Sequence, residues 1–190
     1  MSGRVTRGPL VAALRSQRGF SLIELLVAMT FMAVAILAAV STFDFTRRQT
    51  NTGEQVAVLA HRAQAETESI LAQPYTAVGL ATAPAATSNG SPTDKVQNGN
   101  PPTFSYDWSN PGTTEQLVTA ASAAGCGCTL QPVSTWTDGR YNGSIYRFVT
   151  WTADSCPACV NAKDYKRITV VVTVPGRKPF ISSTIMASTG

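Results

Sequence analysis

Apolar and polar residues are divided unevenly along this chain. Residues 20–43, FSLIELLVAMTFMAVAILAAVSTF, form a run of 24 positions in which Glu24 is the only charge. As a helix at about 1.5 Å per residue, the run reaches about 36 Å. That spans a hydrocarbon core of about 30 Å with some tilt. An ionisable residue inside such a run is costly, which marks Glu24 as a candidate functional residue. From residue 44 to 73 the helical pattern continues in water-compatible form. Val56, Leu59, Ala60, Ala63, Thr67 and Ile70 recur at spacings of three and four and predict an amphipathic stripe, which Pro74 ends. One helix over 20–73 is expected, with Gly53 as its weak point at a cost of about 1 kcal/mol relative to alanine.

After the helix the pattern changes twice. Residues 74–143 are rich in Gly, Pro, Asn, Ser and Thr and read as loops. Within them TFSYDW predicts a short strand. TTEQLVTAASAAG predicts a short helix, with Thr113 or Thr114 as cap and Gly125 as stop. Residues 144–190 carry SIYRFVTWT, YKRITVVVTV and PFISSTIMA, three segments rich in β-branched and aromatic residues. PGRKP between the last two fits a hairpin connection. A long helix followed by an antiparallel meander predicts an α+β fold with one sheet face on the helix. No internal repeat is present.

Charge changes the picture at the front of the chain. The 15 basic and 11 acidic residues give a formal net charge of +4. Arg4, Arg7, Arg15 and Arg18 precede Gly19 in a segment with no acid, so the remainder balances to zero. A basic flank before an apolar helix is a topology signal, holding that flank in the cytoplasm and sending the later residues outward. Arg47 and Arg48 weaken the bias without reversing it. A cleaved secretory signal has a shorter apolar core and a small-residue cut site beyond it. A plain membrane anchor fits the length but gives no reason for Glu24 or for the RGF that precedes it.

RGFSLIELLVAM resembles the N-terminal processing and methylation site of type IV prepilins and of type II secretion pseudopilins. The resemblance covers about a dozen residues, and basic flank, Gly-Phe, Glu and apolar helix coincide in order. It implies a leader over 1–19 cut after Gly19 by a prepilin peptidase, N-methylation of Phe20, and Glu24 as the glutamate at the fifth mature position. It further implies a pilin-like fold, with 20–43 as the membrane and assembly half of the helix, 44–73 as its amphipathic half and 74–143 as the variable region. The implied partners are other pilin or pseudopilin subunits, the peptidase and methylase, inner-membrane assembly machinery, and membrane lipid before assembly. The implied location is the bacterial cytoplasmic membrane, crossed once with the C-terminal part outside, then a pilus or pseudopilus at the cell surface. One departure favours a minor over a major subunit: no proline lies between Phe20 and Gln73, where many major pilins have a helix-kinking one. Glycine at the cut site also makes physical sense, because it has no side chain to hold a protease away from the backbone.

Cys126 and Cys128 in CGC, and Cys156 and Cys159 in CPAC, admit three readings. Paired thiolates at short spacing can hold structural zinc. CPAC has the dithiol spacing of thioredoxin-like redox motifs, but without βαβ context. A domain facing an oxidising compartment favours disulfides, with three connectivities open and a bridge between the Cys126 and Cys156 regions able to staple loops to strands. His61 reads as a surface residue, and Trp108, Trp136 and Trp151 as core or sheet residues. No catalytic constellation, cofactor motif, metal site beyond the cysteines, or clear nucleic-acid site emerges. The expectation is a structural subunit and not an enzyme. A non-polymerising anchored domain that binds a ligand through its loops is the alternative from another class.

Overall fold

The computed structural model describes residues 21–110, 112–139, 141–152 and 165–188. It contains one long helix, α1 (Leu22–Leu71), followed by seven strands. The chain divides into two compact units, the first ending at Asn51 and the second beginning at Thr52. Gly53 does not interrupt the helical hydrogen bonding of α1.

In the first unit every described residue is solvent-exposed, including Leu22, Ile23, Met29, Phe31, Leu37 and Phe43. The helix is long and apolar enough to cross a membrane. A surface of that composition needs lipid or neighbouring helices around it.

The second unit is built around a four-stranded antiparallel meander, β4 (Val133–Asp138), β5 (Tyr141–Thr152), β6 (Tyr165–Thr173) and β7 (Phe180–Ala187), in that spatial order. Pairing of Ile145 with Val172, Arg147 with Val170 and Val149 with Ile168 puts these residues on one face. That face receives the second half of α1, whose Leu59, Ala63, Thr67 and Ile70 are buried. Val56 was expected on the same stripe but is exposed, because it lies at the edge of the covered area. The opposite face carries Tyr146, Phe148 and Thr150, and a small sheet of β1 (Val96–Gln97), β2 (Thr103–Ser105) and β3 (Thr114–Gln116) covers it. Phe104 of β2 stacks on Phe148 with ring centroids 4.0 Å apart. Strand β6 is therefore sandwiched, and ITVVV, residues 168–172, is buried on both faces.

Two expectations need correction. The predicted helix over 113–125 is absent: Thr114–Gln116 is a strand, Leu117 bridges Thr150, and Thr119 bridges Leu80. Leu117 and Val118, adjacent in sequence, are both fully buried between β5 and the Leu80 segment, which extended backbone permits. The main sheet begins at Val133, inside the segment read as loop. Strand β4 has one outer edge unpaired and buries only Trp136, so it lacks the apolar density that reveals β5 and β6. The expected short strand in TFSYDW is present as β2. The β6–β7 connection forms as PGRKP predicts: Gly176 has φ 73° and the Arg177 N–H donates to Val174 O at 3.2 Å. Gly143 is required by close approach, since a Cβ there would overlap the carbonyl of Thr173.

Candidate assembly and processing site

The helix starts at Ser21, whose carbonyl accepts from the N–H groups of Glu24 at 2.9 Å and Leu25 at 3.2 Å. Glu24 stands in the first turn, where a carboxylate complements the unsatisfied N–H groups. Farther along, the polar side chains of the apolar run are satisfied locally. Thr30 donates to Val27 O, Ser41 to Ala38 O, and Thr42 to Ala38 O, at 2.7, 2.9 and 2.9 Å. Such back-bonding lets hydroxyls sit in lipid without an external partner. Glu24 differs. Its carboxylate has no hydrogen-bond or ion-pair partner among the described residues, and its neighbours Ile23 and Leu25 are exposed apolar side chains. A carboxylate in lipid costs about 2.5–3.5 kcal/mol at the helix centre and less near the interface, so a partner from outside this segment is worth a comparable amount.

Gly19 and Phe20, the expected cut and methylation residues, lie outside the described residues. A comparison with protein families supplies the finding that bears on them. Residues 14–42 match the prokaryotic N-terminal methylation motif. The chain carries the signature of type IV pilins and pseudopilins. No curated protein and no solved structure matches the chain. The motif implies processing by prepilin peptidase and assembly with other pilin subunits, and with the apolar helix it indicates membrane anchoring. The α+β arrangement of one long N-terminal helix and antiparallel sheets is the one expected of a pilin-like chain.

The cysteines resolve in part. Cys126 and Cys128 are disulfide-bonded, with Cα atoms 5.1 Å apart, inside the usual range of about 4.4–6.8 Å. Cys156 and Cys159 lie outside the described residues. The bridge lies within the segment between Thr119 and Leu130, both of which pair with Leu80. Gly79 makes this packing possible, since a Cβ there would collide with Cys128 Sγ and crowd Cys126 Sγ.

His61 is exposed, as expected, while Trp136 is buried in β4 and Trp151 lies in β5. Trp108 is half-buried beneath the Lys95 ammonium, 5.6 Å from its ring.

Sequence reasoning missed three cations set within the strands. Arg147 binds Glu66 of α1 at 2.7 Å and Gln131 O at 3.0 Å. Arg167 binds Glu115 of β3 at 3.1 Å and stacks on Tyr106. Lys166 is 2% exposed and donates to the carbonyls of Tyr75 and Val78 at 2.7 and 2.6 Å. Burial pushes its pKa below the usual lysine value. The only signal available was charge inside runs rich in β-branched and aromatic residues, in SIYRFVTWT and YKRITVVV. Nothing in the sequence names the partners Glu66, Glu115, Tyr75 and Val78, which lie 52 to 91 positions away.

Proposed function

We propose that this chain is a minor-pilin-type structural subunit, cut after Gly19, methylated at Phe20 and built into a filament through its N-terminal helix. The observation that carries the proposal is Glu24. It is the one charge in a run matched by the methylation motif, and its carboxylate is without a partner among the described residues. Cleavage before Phe20 would create an amine four residues away, one helical turn along the same face. Helices stacked with an axial offset would bring the amine of one subunit to Glu24 of the next. A single buried polar pair can set register between otherwise featureless apolar helices. The role is structural and not catalytic.

The test is Glu24→Gln in cells that assemble the filament, with tagged filaments pulled down and the cut and uncut forms separated by mass. The variant is expected to be inserted and cleaved normally yet be depleted from filaments. Incorporation at the wild-type level would reduce Glu24 to a cap on its own helix.

A further inference from the structure

We propose that an open cavity beside Lys166 is a binding site for the carboxylate of a small organic acid. The cavity measures about 410 Å³ and is lined by Tyr75, Thr76, Ser122, Gly125 and Trp151, with Lys166 among them. That volume lies within the range of about 300–1,000 Å³ of small-molecule sites. Among the described residues no carboxylate side chain lines it.

The unit treats its other strand cations differently. Arg147 and Arg167 each meet a glutamate, Glu66 and Glu115. Lys166 is more deeply buried than either, yet no carboxylate lies within ion-pair distance of it among the described residues. Its Nζ rests on two backbone carbonyls and over the rings of Tyr75 and Trp151, at 4.4 and 5.2 Å from their centroids. Dipoles and ring faces orient an ammonium and offset part of its desolvation, but they carry no net charge. Two of its three N–H donors are used, which leaves one for a ligand oxygen. Thr76 lines the cavity and is exposed. A charge-assisted bond from a fixed and partly desolvated amine is stronger than one from a surface lysine. Lowering of the amine's pKa by burial is relieved when an anion binds.

The experiment titrates the full-length chain in neutral detergent micelles and reads the Trp151 indole resonance. The ligands are glucuronate as a sugar acid, N-acetylglycine as a chain terminus, and glucose as an uncharged control. A saturable shift with one or both acids and none with glucose is expected, and the tighter acid names the source of the carboxylate. Lys166→Met should abolish the shift. Thr76→Glu, at an exposed position, places a carboxylate of the chain's own at the cavity and should weaken binding by about tenfold or more. Thr76→Gln should stay within about twofold of the wild type, so this pair decides the matter if Lys166→Met fails to fold. Absence of a saturable shift with both acids, an equal response to glucose, or unchanged binding in Thr76→Glu would overturn the site.

Discussion

Replacing Glu66 by alanine removes the partner of Arg147 while leaving the guanidinium beneath α1. The two side chains are only 15% and 11% exposed, and their contact is 2.7 Å. Removing one member of a well-buried pair costs about 3–5 kcal/mol, because the remaining charge stays desolvated. Partial exposure, and the second bond of Arg147 to Gln131 O, place the expected loss nearer 2–3 kcal/mol. For a unit of this size that corresponds to a fall in Tm of about 6–12 °C. Tryptophan fluorescence is a suitable probe, since Trp136 is buried on the same face of the sheet, and the melt is followed on the full chain in detergent. Glu66→Ala with Arg147→Met removes both charges and keeps apolar volume in the site. The double variant should recover at least half of the loss. Equal or greater destabilisation in the double variant would refute the reasoning, because the cost would then lie in lost packing and not in an orphaned charge.

The Cys126–Cys128 bridge closes a loop of only three residues, so its entropic contribution is about 1.5 kcal/mol, smaller than for a long loop. Peptide mapping of unreduced protein should find one peptide carrying both cysteines and two hydrogens lighter than its reduced form; a link from either to Cys156 or Cys159 would contradict the connectivity. In the 87–94 segment the Asp94 carboxyl is held below its usual pKa of 3.8, first by the Thr87 hydroxyl and then by the N–H groups of Gly90 and Asn89. A depressed carboxylate supports the loop above its unfolded pKa and loses that support as pH falls through the folded value. The Gly90 amide resonance should therefore titrate with a midpoint below 3.8, and the transition should vanish in Asp94→Asn; a midpoint above 3.8 would be inconsistent with these bonds.

The elements legible in the sequence were those whose pattern is set by local solvent contrast. The apolar half of α1 needed only counting, and β5 to β7 announced themselves through β-branched residues at a density that helices rarely carry. The stretch from Thr114 to Gly125 misled because its alanines and its threonine cap favour a helix, while burial of Leu117 and Val118 on opposite sides imposes extended backbone. Such a tertiary override has no local signature. The Lys166 cavity was hidden for the same reason: its walls come from the turn after α1, the loop after β3, and strands β5 and β6. Glu24 was legible because its surroundings are uniform, so that one charge stands out against 23 uncharged positions.

The central claim, that this is a pilin-type precursor processed ahead of its membrane helix, is tested most directly by the intact mass and N-terminal residue of the protein extracted from membranes. The account predicts a chain that begins at Phe20 and carries a methyl group on its amine. A chain that begins at Met1, or anywhere after the apolar run, would contradict it.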